Sequence, residues 1–456
     1  MALKNTTDLT KGSVFKRLLL FTLPLLATNL LQQFYSAADI AVVGSFAENG
    51  KDSLAAVGAT SYITNFLLNL FIGIAIGANV VCANLYGAKK QASLYRCMHT
   101  AMILALVCGI GIALVGVLLA PWLLRLTNCD PLILDKAALY MRLYFLGAPA
   151  SIVYNFGAGI LRAHGDTKRP MIILSSAGIV NVALNLVFVI LFHWDVAGVA
   201  VATVISQVVS AIAVVVVLLR PTDVYKLKLS GMRFYADELK MIVRFGVPCG
   251  LNGMVFSVSN VLLQSTVNSF GSVYMASATA AGSLTSFIYC FINAFYTASV
   301  SFAGQNYGAK RYDRIRQVML YSSTISSLMI LAASALVTVF CPFFLGLYAD
   351  DAQVIQIART PLMIMIWTYP IYAVAESAIG CLRGMGQSTL PTLLNAFCIC
   401  VPRFLWVLFI FPMCPHFWFL YLCYPISWLI CAVVQFLYYI HCRRELEKMD
   451  TSTANV

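Results

Sequence analysis

Twelve apolar stretches, each long enough to cross a bilayer, recur along the chain and limit its fold more than any other feature. About 20 apolar residues span the hydrocarbon core as a helix, where backbone polar groups must be paired within the structure itself. The stretches lie at 17–45, 54–84, 93–120, 133–158, 168–192 and 196–219, then at 238–268, 275–304, 315–343, 353–381, 388–412 and 416–440. Several exceed the minimum, so tilted or kinked helices are expected. Only 11% of the 456 residues are charged, against roughly a quarter in soluble domains. The first stretch is too long for a signal-peptide core and lacks a cleavage site, so it reads as an anchoring span.

A formal charge of +12 raises the question of a nucleic-acid partner, and its distribution answers it. Of the 30 Lys and Arg residues, 24 fall in the termini and in alternate connections, from Lys4 and Lys11 through Lys89, Lys168, Lys228 and Lys310 to Arg443 and Arg444. The opposite connections hold only Lys51, Arg125 and Lys136. This alternation encodes topology: the basic side is cytoplasmic and both termini are inside. A multi-pass protein of the inner (cytoplasmic) membrane is expected, with lipid and not nucleic acid as its partner.

Other chemistry leaves no signature. The 14 cysteines are scattered through apolar segments without a CxxC pair and read as small packing residues. The five histidines form no metal-ligand spacing. There is no Walker A sequence, no Gly-x-Ser-x-Gly and no His-Glu-x-x-His. The chain reads as a transporter and not an enzyme, without a cofactor or bound metal.

An internal repeat organises the spans. Tyr86-Gly87-Ala88-Lys89 returns as Tyr307-Gly308-Ala309-Lys310, an offset of 221. At the same offset Pro149, Gly159, Leu161, Arg162, Gly165 and Pro170 meet Pro370, Gly380, Leu382, Arg383, Gly386 and Pro391. Six spans per half put both copies in the same orientation, a parallel repeat of the kind transporters rock around a midplane site. The expected fold is an all-α integral membrane protein. Its twelve transmembrane helices form two six-helix bundles, 1–225 and 226–456, around a central cavity. The loop motifs read as tight turns, with glycine supplying left-handed backbone and proline restarting a helix; a gate is the other reading.

These motifs resemble the MATE family, the multidrug and toxic compound extrusion transporters, closest to the bacterial DNA-damage-inducible-F branch. The resemblance also rests on Pro24, Gln33-Phe34-Tyr35, Asp39 and Val42-Val43-Gly44 in the first span, and on Gly304-Gln305-Asn306 before the second Tyr-Gly-Ala. It implies export of amphiphilic, often cationic compounds driven by inward sodium or proton flow.

Asp39 is the first of two acids well inside apolar spans, where an ionisable group needs a partner, a wet cavity or a function. Asn29, Gln32, Tyr35, Ser36 and Asp39 share one face of the first helix at about 100° per residue. Asn181 and Asn185 on the fifth span, with Thr203 and Gln207 on the sixth, could complete a small oxygen-rich cavity. Such a set suits a hard cation, and a desolvated carboxylate would equally carry a proton; Asp39 could also simply join helices by hydrogen bonds. The family resemblance sets Asp39, Asn181 and Thr203 at positions of an ion site. Many relatives have a second carboxylate where this chain has Asn185. Pro24 removes a helical hydrogen bond and, by that resemblance, is a hinge; a static kink is equally consistent.

Glu376 is the second acid, and Arg403 is its expected structural partner; a second ion site or a counter-charge for a cationic substrate is the other reading. Asn65 on the second span, and Asn260 and Gln264 on the seventh, could line a substrate cavity with Gln32, Tyr35 and Glu376, or join helices. Gly73-x-x-x-Gly77 predicts close helix packing. The leading reading is a monomeric ion-coupled antiporter for amphiphilic small molecules. A flippase for a lipid-linked precursor is the alternative, although it calls for a more cationic cavity. A membrane enzyme would need paired acids or histidines at the surface, and a channel would not need a two-fold repeat.

Overall fold

A computed structural model describes residues 7–46, 50–127, 129–220, 227–349 and 351–454. Helices account for nearly all of it: α1 (Val14–Phe46), α2 (Gly50–Gly87), α3 (Gln91–Leu126), α4 (Leu134–Leu146), α5 (Ala148–Ala163), α6 (Lys168–Leu186) and α7 (Asp195–Leu219) in the first half. The second half has α8 (Ala236–Asn268), α9 (Ser272–Gly308), α10 (Tyr312–Val339), the short α11 (Cys341–Gly346), α12 (Ala352–Gly384), α13 (Thr389–Leu405), α14 (Phe417–Tyr421) and α15 (Cys423–Ala454). Among the described residues, eleven segments are long and apolar enough to span a membrane, and the pair α4 and α5, bent by 42°, supplies a twelfth. Pro149, which has no N–H to donate, stands in the first turn of α5 just after that bend. The chain is therefore an all-α integral membrane protein with twelve spans.

The compact units do not part within the polar connection at 220–237. One comprises Met1–Asp8 with Ala27–Met254, the other Leu9–Leu26 with Val255–Val456. The divisions fall inside α1 and inside α8, a few residues after Pro24 and Pro248 respectively. Each of these helices thus contributes one half to each unit. In this respect the unit boundaries differ from a simple division at 225.

Small residues set the packing of each unit. In the first, Gly73 and Gly77 of α2 lie directly against the backbone of Gly250 and Gly246 of α8, so a Cβ at any of the four would overlap the facing helix. In lipid there is no hydrophobic drive between helices, and close backbone approach supplies dispersion contact instead. In the second unit, Gly380 and Gly384 of α12 meet Tyr296, Ser299 and Ala303 of α9 in the same way.

The repeat is visible in backbone conformation. Lys89 and Lys310 have φ of 57° and 56°, and Gly165 and Gly386 have φ of 83° and 80°. Each pair closes a helix end: Lys90 N donates to Leu85 O at 3.0 Å and Arg311 N to Asn306 O at 2.8 Å. Asp166 N donates to Leu161 O at 3.0 Å, and Gln387 N to Leu382 O at 2.9 Å. These are left-handed C-caps; Gly165 and Gly386 supply the left-handed residue as expected, whereas in the Tyr-Gly-Ala-Lys turns the lysine adopts it and not the glycine. In the first of these turns His164 is wholly buried, its Nδ1 2.7 Å from Ile160 O and its ring 5.0 Å from that of Tyr86.

Two predictions test this packing. Gly246→Val should cost about 1–3 kcal/mol and lower the thermal unfolding midpoint in detergent, whereas Gly111→Ala, with open space around it, should leave the midpoint unchanged. Burial keeps His164 neutral and pulls its pKa from 6.5 down to about 4. Its contribution is complete above the unfolded value and is lost as pH falls from 6.5 toward 4. His164→Gln should flatten the dependence of the unfolding midpoint on pH across that window; an unchanged slope would contradict the assignment.

Candidate functional site

Three helices of the first unit place polar side chains around one cavity. On α1 a spacing of three to four residues brings Gln32, Tyr35, Ser36 and Asp39 to the same side, and all four line a cavity of about 190 Å³. Asn181 of α6 and Thr203 and Gln207 of α7 line it as well. Gly178 makes room on α6: a Cβ there would overlap the Tyr35 ring, whose hydroxyl donates to Ser175 O at 3.0 Å. The ring is thereby fixed at the cavity wall.

A chain of hydrogen bonds ties the site together. Asn185 Nδ2 donates to Asp39 Oδ1 and lies 3.3 Å from Asn181 Oδ1. Asn181 Nδ2 is 3.4 Å from Thr203 Oγ1, which donates to Val199 O at 2.9 Å. Asn185 is fully buried and stands behind Asp39, outside the cavity lining. Its Oδ1 has no hydrogen-bond partner among the described residues. The result is one carboxylate, half-buried, flanked by neutral amide and hydroxyl oxygens. That set can hold a monovalent cation through oxygen ligands or exchange a proton at Asp39.

Tyr140 and Tyr144 of α4 also lie within reach of the Asp39 charge, and the sequence reading did not include them. They sit four residues apart on a helix whose bend cannot be read from spacing, although paired tyrosines in an apolar span were a usable signal.

The remaining expected residues do not join this cavity. Asn65 is exposed on α2 and is absent from the cavity wall. Asn260, Gln264 and Glu376 belong to the second unit, where Gln264 Nε2 donates to Asn268 Oδ1 at 2.9 Å. The expected Glu376–Arg403 ion pair is not formed. Glu376 accepts instead from the Tyr372 hydroxyl at 2.7 Å, and the cation whose charge reaches it is Arg383. Arg403, 2% exposed, donates to Asn260 Oδ1 at 3.3 Å and lies 4.4 Å from the centre of the Tyr424 ring. Each charge is thus engaged by other side chains, and the Tyr372 ring that holds Glu376 is itself stacked on Trp428, with centroids 5.4 Å apart. Pro24 lies within the unbroken α1, in the part that belongs to the second unit.

The missing ion pair is testable by a double-mutant cycle. The unfolding effects of Glu376→Gln and Arg403→Gln should add within about 0.5 kcal/mol; a larger coupling would mean that the two charges do pair.

Comparison with known proteins gives a consistent result. A family model described as MatE matches two stretches, residues 24–187 and 248–406, one in each half of the chain. The "Probable multidrug resistance protein YoeA" of Bacillus subtilis (strain 168) is 27% identical over 401 residues, which cover 86% of each chain. The multidrug export protein MepA of Staphylococcus aureus (strain MW2) is 22% identical over 387 residues, 84% of each. A solved structure of a multidrug resistance MATE family transporter of the MOP superfamily, in an outward-facing conformation, superposes with a TM-score of 0.88 at 23% identity. It covers 98% of this chain and 100% of that one.

Proposed function

The chain belongs to the MATE family of multidrug efflux transporters, and from that premise we propose that it is an ion-coupled antiporter exporting amphiphilic, largely cationic compounds by alternating access. The observation that carries this reading is Asp39, a carboxylate inside a membrane span, placed on the wall of a polar cavity and hydrogen-bonded by Asn185. An acid in that position is costly unless it does work. Here it would take up one sodium ion or one proton from the outside and release it inside, each state favouring a different arrangement of α1.

Asn185 shapes that chemistry. Its amide donates to Asp39 and adds no charge of its own, so the site changes by a single unit of charge in each cycle. Pro24 leaves Leu20 O without its usual intrahelical donor, and the division of α1 between units follows it at Leu26. That is where α1 would bend with the state of Asp39. Charge alternation along the sequence supports a protein of the cytoplasmic membrane with both termini inside, working as a monomer on small amphiphiles in the bilayer.

The test is uptake of a fluorescent organic cation into proteoliposomes, with sodium and pH gradients imposed separately. Wild-type protein should accumulate the dye under at least one gradient, and Asp39→Asn should reduce gradient-driven accumulation at least about tenfold, the loss of one essential charge contact. Accumulation under neither gradient would overturn the antiporter reading.

A further inference from the structure

The loop motifs of the second half converge on a cavity that the Asp39 site does not use. Tyr307, at the end of α9, faces Met385 in the turn after α12, and α15 closes the space with Tyr438, His441, Cys442 and Glu445. The volume is about 370 Å³, within the roughly 300–1,000 Å³ typical of small-molecule sites.

The repeat explains why the space exists in this unit. The positions 221 residues earlier are Tyr86 and His164. In the first unit those two rings pack on each other at 5.0 Å. The backbone oxygen of Thr7 lies against Gly165 of the same turn, and the charge of Asp8 reaches Tyr86. In the second unit the histidine is replaced by Met385, and Tyr307 turns its ring toward Tyr312, with centroids 6.1 Å apart. An aromatic contact is thereby exchanged for a chamber.

The lining selects a ligand chemistry. Two tyrosine rings and a methionine offer polarisable surface, and Glu445 brings the carboxylate. Glu445 is also 3.2 Å from Lys448, but both side chains are more than half exposed. A pair so solvated is weak and leaves the carboxylate able to attract a second cation. Aromatic faces beside a carboxylate are the recognition pattern for an organic ammonium group.

We propose that this cavity is a loading site for amphiphilic aromatic cations, distinct from the Asp39 cavity, at the end of the second unit where its basic loops gather. The inference rests on the export reading for its purpose, but not for its chemistry. A compound held here by Tyr307, Tyr438 and Glu445 would be concentrated at the surface from which export begins.

Cys442 is a native reporter, since its side chain lines the cavity. The purified full chain would be treated with N-ethylmaleimide and the alkylation of Cys442 followed by peptide mass spectrometry. Benzyltrimethylammonium should slow that reaction, whereas N-benzylacetamide, an uncharged aromatic of similar size, should not. Glu445→Gln should raise the protecting concentration about tenfold, as loss of one charge contact requires, and Glu445→Asp should keep most of the protection. Equal protection by the uncharged compound, no protection by the cation, or an unchanged Glu445→Gln would each overturn the proposal. So would a Cys442 that reacts only after denaturation, because the cavity would then be closed to solutes. Protection without gradient-driven export would leave this site standing and remove the antiporter reading; export without protection would do the reverse.

Discussion

Hydrocarbon offers no hydrogen-bond partners, and that one constraint governs the rest of this structure. Backbone polar groups in a span must be satisfied within the protein, mostly inside their own helix, so the chain becomes a series of long helices. Hydrophobic segregation cannot then hold those helices together, because lipid is as apolar as they are. Close backbone contact takes its place. The Gly73, Gly77, Gly246 and Gly250 cluster in one unit and the Gly380 and Gly384 contacts in the other show the result. In each case the missing Cβ lets two helices approach far enough for dispersion to accumulate.

The same constraint makes polar side chains in the spans conspicuous. Asp39 is accommodated by an amide, a hydroxyl network and a small cavity, with no opposite charge beside it among the described residues. Glu376 and Arg403 show a second solution, in which each charge has a neutral hydrogen-bond partner and the two do not pair. Pairing was the obvious expectation for two opposite charges within neighbouring helices. Tyr372 takes Glu376 instead, and Asn260 and the Tyr424 ring take Arg403.

The two halves share loop geometry while differing in chemistry. Left-handed backbone at Lys89 and Lys310, and at Gly165 and Gly386, repeats almost to the degree. Around those equal turns the side chains diverge. His164 seals one loop against Tyr86, while Met385 leaves space beside Tyr307. The helix carrying Asp39 has no counterpart acid at the same offset, since position 260 is Asn260. The same turn geometry thus carries different side chains in the two halves.

The sequence by itself determined the spans, the offset of the repeat and the polar face of α1. Each of these depends on local composition or helical period, which neighbouring residues in the chain dictate. It also marked Gly73 and Gly77 as a packing face, because small residues at that spacing have few other uses in lipid. What it could not assign was partnership across distance. That Gly246 and Gly250 face Gly73 and Gly77, that Tyr140 and Tyr144 approach Asp39, and that Arg403 meets Asn260 and not Glu376 depend on how helices far apart in sequence are rotated against one another. The division of α1 and α8 between units belongs to the same class. Only the packed tertiary structure fixes those rotations, because they are settled by shape complementarity summed over many side chains and not by any single local pattern.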